Sequence, residues 1–547
     1  MKKSKLYFYV IIAVFMLFNI GARAVYAQTR WTEMKKEDKV LKLAIWFTAQ
    51  EVDKYLSTPA GLNDAIAWCK RYGATKVHLE AFGRGLYANK ETLITARDKF
   101  RKEGIEVASG VTTTKFGKDA VNGGDGAVEW TGSQCYTNIG TQQELQRLIE
   151  YTASMFDEII LDDWFFTQCQ CDECIKARGN LSWPAYYTNL MTKVSRERVV
   201  GPAHRVNPRV KVIIKYPQWY DQFHMRGYDV VGEPPIFDGI WTGTEDRNFE
   251  YEKDNLGYEI GYNAYFNMRW QATLGMSKGG GWFDTGGNRT KVTTYLEQAR
   301  HTVLGAGNTM ILWSYSGHLA APNKMDALFK EYPGLIKLAK IVQGKPIKGV
   351  HMVKPGNSEP FEETWILSFL GELGIPFVPA SVVDENAKSA VFTVQTLKDG
   401  NFTQKLQRIE NKAIPVLLTD GLAKRIADHP KLVKNTNVTI LPIKGSPKTV
   451  LNLSREQIKV YRDKLLAPFQ IKFDAPSRVE LYLFGDNTFV VENINDTAVD
   501  LSLDFLHLAG ATKTLTLPED AGSTLSKNGN SVKMHIEANS LIVVDYK

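Results

Sequence analysis

Two consecutive carboxylates, Asp162 and Asp163, follow a short apolar run at residues 158–161. The run is typical of a buried strand, where an unpaired carboxylate is costly, so the pair is predicted to be functional. Neighbouring strand residues point to opposite faces. We therefore expect Asp163 to act in catalysis and Asp162 to orient it. The alternative is that Asp162 caps a turn and Asp163 bonds to loop backbone.

Further carboxylates follow later predicted strands, and three of them are candidate partners of Asp163: Glu245, Asp246 and Asp284. Cleavage of a glycosidic bond needs two carboxyl groups flanking that bond, which Asp163 and one of these acids could supply. Polar and aromatic side chains near strand ends suit sugar hydroxyls and rings, although about half of the 12 tryptophans belong to the core on this interpretation. The predicted substrate-binding residues are Glu80, Lys215, Trp164, Tyr265 and Trp313.

A cysteine cluster follows the aspartates, with Cys169, Cys171 and Cys174 in six residues and Cys135 on an earlier loop. Four thiolates are the ligand set of a closed, structural zinc site, which would tie two loops together. The alternative is one disulfide plus free thiols, since export favours disulfides. Cys69, in a predicted helix, is interpreted as a buried apolar residue.

Repeated strand-then-helix units between Lys42 and Gly317 must position these side chains. Eight units over roughly 275 residues match a (β/α)₈ TIM barrel, which keeps its catalytic residues at the C-terminal ends of the strands. An open doubly wound sheet is the structural alternative. Residues 262–270 could form a further strand. The predicted barrel strands are 43–48, 75–79, 105–111, 158–161, 210–214, 237–241, 281–283 and 309–313.

The chain beyond the barrel changes pattern twice. The predicted domains are a signal peptide at 1–27, the barrel at 28–343, a small three-layer α/β domain at 344–466 and an antiparallel β-sandwich at 467–547. The α/β domain contains no G-x-G-x-x-G motif, so no nucleotide or other organic cofactor is expected.

The leader and the charge limit the cellular context. Residues 1–27 combine early lysines, an apolar core and a small-residue cleavage site, which predicts export to the periplasm or the medium, with no membrane association after cleavage. An uncleaved membrane anchor is the alternative, but the apolar core is shorter than the ~20 residues of a spanning helix. The net charge of +7 is spread along the chain, so no nucleic-acid partner is expected.

The C-x-C-x-x-C cluster after the fourth strand, followed by an α/β domain and a β-sandwich, resembles the architecture of zinc-bearing trimeric β-galactosidases. Residues 375–378 and 414–420 resemble the amidotransferase-like trimerisation domain of that group, which implies a homotrimer. Those enzymes carry an Asn-Glu pair after the fourth strand and a Glu after the seventh. This chain has Asp162-Asp163 and Asp284 instead, so their activity does not carry over.

Asp162-Asp163 is similar to the aspartates of two other groups. α-Galactosidase-like barrels use an Asp after the fourth strand as nucleophile, and N-acetylhexosaminidases with adjacent aspartates use one to orient the substrate acetamide. We expect an exported glycoside hydrolase acting on an oligosaccharide or polysaccharide fragment by paired carboxylates. The alternatives are an acetamide-assisted N-acetylhexosaminidase using Asp162 and Asp163, a non-catalytic glycan-binding barrel, and a metallohydrolase, which the scattered histidines disfavour.

Overall fold

The structure is a computed structural model that describes residues 31–121, 133–246, 261–275, 279–287, 290–443, 445–505 and 508–546. The predicted signal peptide, residues 1–27, lies outside the described residues. Within the described parts of the chain, no helix has the length and apolarity that crossing a bilayer requires.

Eight parallel strands form the first domain, and they close into a barrel because β1 pairs with both β2 and the last barrel strand, β9. This closure confirms the predicted TIM barrel and excludes an open sheet. A short strand, β3 (Leu86–Tyr87), extends β2 antiparallel. The barrel strands are β1 (Lys42–Phe47), β2 (Ala74–Gly83), β4 (Glu106–Val111), β5 (Glu158–Leu161), β6 (Lys211–Tyr216), β7 (Gly239–Gly243), β8 (Gly281–Asp284) and β9 (Thr309–Trp313).

Helices follow the barrel strands, and their ends carry the expected signals. The second helix begins after the N-cap Thr58, has Pro59 in its first turn, and ends at Gly73, whose φ of 76° is the left-handed C-cap conformation. The helices of this domain are α1 (Ala49–Tyr55), α2 (Pro59–Tyr72), α3 (Lys90–Lys102), α4 (Ile139–Ala153), α5 (Asp172–Arg178), α6 (Trp183–Val194), α7 (Gly201–Val206), α8 (Gly261–Gln271), α9 (Val292–Leu304), α10 (Tyr315–Leu319) and α11 (Pro322–Val342).

Large side chains fill the inside of the barrel, in a cluster separate from the one beneath the helices. Three tryptophans from β1, β7 and β8 (Trp46, Trp241 and Trp282) pack there with isoleucines of β5, β6 and β9. Gly110 on β4 makes room for them, because a Cβ at this position would lie 1.7 Å from the Trp46 ring. The barrel interior is therefore packed with side chains, and the C-terminal ends of the strands lie above this packed layer.

The second domain is a five-stranded parallel sheet with the strand order β12-β11-β13-β14-β15. Helices connect its strands, which agrees with the predicted α/β domain. Its strands are β11 (Val350–Val353), β12 (Phe377–Ala380), β13 (Ala390–Phe392), β14 (Val416–Thr419) and β15 (Val438–Leu441), and its helices are α12 (Ile366–Gly371), α13 (Phe402–Asn411), α14 (Asp420–Arg425), α15 (Pro430–Val433) and α16 (Arg455–Leu466).

The last domain consists of two antiparallel sheets, ordered β10-β17-β18-β23-β20 and β16-β19-β22-β21, which confirms the predicted sandwich. Strand β10 lies directly after the barrel in sequence, yet it pairs with β17 in this domain. The strands are β10 (Ile347–Lys348), β16 (Ile471–Asp474), β17 (Val479–Phe484), β18 (Thr488–Asn493), β19 (Val499–Phe505), β20 (Thr512–Leu517), β21 (Thr524–Asn528), β22 (Ser531–Ile536) and β23 (Ser540–Asp545).

Candidate active site

Three consecutive barrel strands bring a lysine between two carboxylates. Asp163 follows β5, Lys215 lies on β6 and Glu245 follows β7. Lys215 Nζ donates to Asp163 Oδ2 at 2.9 Å and to Glu245 Oε1 at 3.1 Å. Because both oxygens contact the same nitrogen at these distances, they are no more than about 6 Å apart. Asp163 and Glu245, which the sequence predicted at the ends of barrel strands, therefore lie close together at the C-terminal end of the barrel.

Lys215 is a buried, permanently charged group. Its Nζ lies 4.5 Å from the centre of the Trp282 ring, which forms the floor beneath it. Burial alone would lower its pKa, but the negative charges of Asp163, Glu245 and Asp162 outweigh burial and hold the pKa above its ordinary value. The positive charge of Lys215 offsets the electrostatic repulsion between the two carboxyl groups when both are ionised.

Asp162 supports its neighbour instead of facing the opening. Its Oδ1 accepts a hydrogen bond from the backbone N–H of Asp163 at 2.8 Å, and its Oδ2 accepts from the Thr112 hydroxyl at 3.1 Å. Burial and the adjacent charge of Asp163 raise the pKa of Asp162 well above its ordinary value. These contacts fix the backbone at Asp163, and the orienting role expected for Asp162 stays a prediction.

A second buried carboxyl, Glu80 at β2, shares the Thr112 hydroxyl. Glu80 Oε2 accepts from the backbone N–H of Ala49 at 2.7 Å, while its Oε1 contacts Thr112 Oγ1. Burial raises the pKa of Glu80 to about 7. A hydroxyl has one hydrogen, so Thr112 can bond to both Glu80 and Asp162 only if one of these carboxyls carries a proton. Sequence reasoning missed Thr112, because one threonine after a strand carries no distinctive signal.

Three more predicted residues, Trp164, Trp313 and Asp284, lie near the C-terminal ends of barrel strands. Trp164 and Trp313 are each partly exposed, and the guanidinium of Arg84 lies 5.7 Å from the centre of a Trp313 ring. Asp284 ends β8 beside Trp313 of β9, and its Oδ1 accepts from the backbone N–H of Gly286 at 2.7 Å. Partly exposed aromatic faces of this kind are suited to stacking on sugar rings.

Two predicted site residues lie elsewhere. Asp246 is fully buried and contacts His301 Nδ1 at 3.3 Å, because it follows Glu245 directly and points away from the mouth. Tyr265 lies on helix α8, and its ring packs on Tyr482 of β17 at 4.6 Å. A short segment buried on all sides has no periodicity that separates strand from helix, which explains the wrong strand alternative at 262–270.

The four predicted metal ligands converge. Cys135, Cys169, Cys171 and Cys174 have all their sulfur atoms within 4.8 Å of one another. The sulfur–sulfur separations are 3.7 Å for Cys135–Cys171, 3.6 Å for Cys135–Cys174 and 3.8 Å for Cys171–Cys174. Four sulfurs around a tetrahedral zinc at ~2.3 Å would be about 3.8 Å apart, so the residues fit this ion. All five cysteines are free thiols, with Cys69 buried as expected.

Comparisons with known proteins agree with this chemistry. A family model described as the catalytic domain of probable glycosyl hydrolases matches residues 29–352, more than half of the chain. An uncharacterized protein of Saccharolobus solfataricus is 28% identical over 319 residues, which cover 52% of this chain and 50% of that protein. The chain thus spans about half the length of the curated relative it matches.

Two solved structures show a low similarity to this chain. Exo-β-1,4-mannosidase Op5Man5 from Opitutaceae bacterium strain TAV5 aligns with a TM-score of 0.45 and 11% identity, over 70% of this chain and 79% of that one. The endo-β-1,4-mannanase from Thermotoga petrophila aligns with a TM-score of 0.35 and 9% identity, over 58% and 81%. The resemblance to trimeric β-galactosidases is not confirmed by these matches. By the family match, the chain belongs to the probable glycosyl hydrolase family, and the matched region is a (β/α)₈ barrel.

Proposed function

We propose that this protein is a glycosidase that cleaves an oligosaccharide or polysaccharide fragment with retention of anomeric configuration, using Asp163 and Glu245. The observation that carries the proposal is the shared contact with Lys215, which limits the two carboxylate oxygens to about 6 Å. Retaining glycosidases have carboxyl groups about 5–5.5 Å apart, whereas inverting enzymes need about 6.5–9.5 Å to admit a water molecule.

Asp163 is assigned as the nucleophile and Glu245 as the acid and base. Asp163 is the more exposed of the two, so its carboxylate is the more accessible to the anomeric carbon of a bound sugar. Attack by an Asp163 oxygen on the anomeric carbon would break the glycosidic bond as Glu245 protonates the leaving oxygen. A water molecule, deprotonated by Glu245, would then release the sugar from Asp163.

The acetamide-assisted alternative is less well supported. That mechanism needs one aspartate free to hold the substrate acetamide. Asp162 is buried, and its two oxygens already accept hydrogen bonds from Asp163 and Thr112.

The test is a panel of aryl glycosides and polysaccharide fragments, with the anomer of the first product read by NMR. Asp163→Asn and Glu245→Gln should each lower kcat by about 10²–10⁴-fold or more. Added azide should rescue an Asp163→Gly variant to a glycosyl azide of inverted configuration, and a Glu245→Ala variant to one of retained configuration. Full turnover by Asp163→Asn, or an inverted first product from the unaltered enzyme, would reject the assignment.

We also propose that the four clustered cysteines hold a structural zinc. The support is the match between their sulfur separations and a tetrahedral site, together with the backbone N–H of Val121, 3.3 Å from Cys169 Sγ. The ion would join the loop before α4 to the loop after β5, close to Asp163. Metal analysis should find about one zinc per chain, lost in Cys171→Ser and kept in Cys69→Ala. A disulfide detected by mass spectrometry would contradict this proposal.

Export and assembly also stay predictions. N-terminal sequencing of the periplasmic or secreted protein should begin at Gln28, whereas a retained leader in the membrane fraction would indicate an anchor. The homotrimer implied by the resemblance is checked by light scattering of the purified protein.

A further inference from the structure

A second group of charged side chains is buried between the barrel and the C-terminal sandwich. His301 lies on α9, Glu480 on β17 and Glu492 on β18. All three are fully buried, and the two glutamates are paired directly opposite each other across the antiparallel strands. One ligand atom from each of the three lies within 4.8 Å of the other two.

His301 Nε2 and one oxygen of each glutamate lie at similar distances, as the ligand atoms of a single metal ion would. Nε2 is 3.2 Å from Glu480 Oε2 and 3.3 Å from Glu492 Oε2. Among the described residues, neither Nε2 nor Glu492 Oε2 has a partner with hydrogen-bond geometry. Ligand atoms at ~2.0–2.1 Å from a tetrahedral ion are separated by about 3.3–3.4 Å, which is close to these distances.

The opposite nitrogen of the ring is already engaged. His301 Nδ1 lies at hydrogen-bonding distance, 3.3 Å, from Asp246 Oδ2. A carboxylate on one ring nitrogen orients a histidine and leaves the other nitrogen to a metal ion. This assigns a role to Asp246, which the active site does not use.

Charge in the buried layer also favours a cation. Arg300 makes its closest contacts with Glu331, at 2.6 and 2.8 Å, and reaches Glu492 Oε1 only at 3.5 Å. The hydroxyl of Tyr482 contacts Glu480 but brings no charge. Burying Glu480 and Glu492 together is costly unless a positive charge lies between them, which is supplied either by a proton on His301 Nε2 or by a metal ion in its place.

We propose that His301, Glu480 and Glu492 bind a divalent first-row metal ion that fastens the sandwich to the barrel. One imidazole and two carboxylates are a ligand set suited to Mn²⁺ or Zn²⁺. Ligands from both domains would make the ion a link between α9 and the β17–β18 pair.

Mn²⁺ is the better probe, since the thiolates of the cysteine cluster select softer ions. Titration of the intact protein, followed by the EPR signal of free Mn²⁺, should show about one bound ion per chain. The isosteric Glu480→Gln/Glu492→Gln double variant should bind at least about 10-fold more weakly. Glu331→Gln is the matched control, because Glu331 is an equally buried partner of Arg300 outside the ligand set, and it should keep the ion.

Two further measurements keep the proposal falsifiable if the double variant does not fold. Mn²⁺ should raise the melting temperature of the Cys171→Ser protein, in which the cysteine site is removed, and crystals soaked in Mn²⁺ should give an anomalous peak at His301 Nε2. Absence of Mn²⁺ binding and of any Zn²⁺ beyond the cysteine site would overturn the proposal. Asp246, Glu297 and His301 also have ligand atoms within 4.8 Å of one another, so binding that depends on Glu297 but not on Glu480 and Glu492 would overturn the ligand assignment.

Discussion

Lys215 is the residue on which the barrel mouth depends most, because its single ammonium group contacts both carboxylates of the proposed catalytic pair. It is held by burial and by the Trp282 ring, so it cannot swing away to water. At the scale of single residues, the proposed chemistry therefore depends on the positive charge of Lys215 and on the protonation states of Asp163 and Glu245.

Replacing Lys215 with methionine should shift the pH profile of activity. Without the cation, Asp163 and Glu245 lie close together unneutralised, so one of them holds its proton to higher pH. We expect kcat to fall about 10²-fold and the acidic limb of kcat/KM to move up by about 1–3 pH units. Lys76→Met is the control, since Lys76 pairs with Glu158 where β5 begins, at the other end of the barrel. An unchanged acidic limb would contradict the neutralising role.

Glu80 should make the stability of the protein depend on pH. The folded state raises its pKa from 4.5 to about 7, so its protonated form is favoured on folding. Its stabilising contribution is fully present below about pH 4.5 and is lost as the pH rises to about 7. Relative to Glu80→Gln, the unaltered protein should lose up to about 3 kcal/mol of unfolding free energy over that range.

Urea unfolding of both proteins across this range measures the difference. Glu103→Gln is the control: the hydrogen bond from Lys70 lowers the pKa of this partly exposed carboxyl, so any pH dependence of its difference should run in the opposite sense. A Glu80→Gln difference that does not change with pH would show that Glu80 is ionised throughout.

At the scale of elements, the ends of the barrel strands decide which residues meet. The apolar runs and the polar residues that close them were readable from the sequence, because strand alternation and parallel pairing place those residues at one edge. The buried position of Asp246 could not be read from the sequence, because a shift of one residue in strand register decides which face of the strand a side chain occupies. Helix α8 was missed for a related reason, because burial on all sides erases periodicity.

Gly110 tests how tightly these strands are packed. A methyl group there would overlap the Trp46 ring, which is enclosed by neighbouring tryptophans and cannot easily shift. We expect Gly110→Ala to lower the unfolding free energy by about 1–3 kcal/mol. Gly400→Ala is the control, because nothing lies within 4 Å of the added methyl group. Equal melting temperatures for the two variants would mean that the barrel floor can adapt.

At the scale of the whole molecule, the barrel and the sandwich share buried polar contacts that no single-domain pattern could have predicted. Arg300 of the barrel bonds to Glu331 and to the backbone oxygen of Asn539 in the sandwich. Sequence patterns identify a buried face within one element, whereas partners about 200 positions apart become visible only when the domains are docked, as for Arg300 and Glu492.

Arg300→Met should therefore remove a bond to the sandwich and disrupt the buried pair between α9 and α11 of the barrel. The substitution removes the charge and leaves the Glu331 carboxylate buried and uncompensated, which should cost about 3–5 kcal/mol of unfolding free energy. Arg425→Met, in a partly exposed pair with Glu362, should cost about 0–1 kcal/mol. Denaturant unfolding of both variants provides the measurement, and equal losses would argue against a buried linkage.

The pairing of strand β10 with β17 affects the order in which the domains can fold during synthesis. Ile347 emerges just after the barrel, but its pairing partner Phe484 is synthesised only after the whole α/β domain. At about 5–20 residues per second, the wait lasts on the order of ten seconds. During this interval the barrel can complete its own sheet while the sandwich cannot start, so nascent chains are expected to carry a finished barrel before their last domain exists.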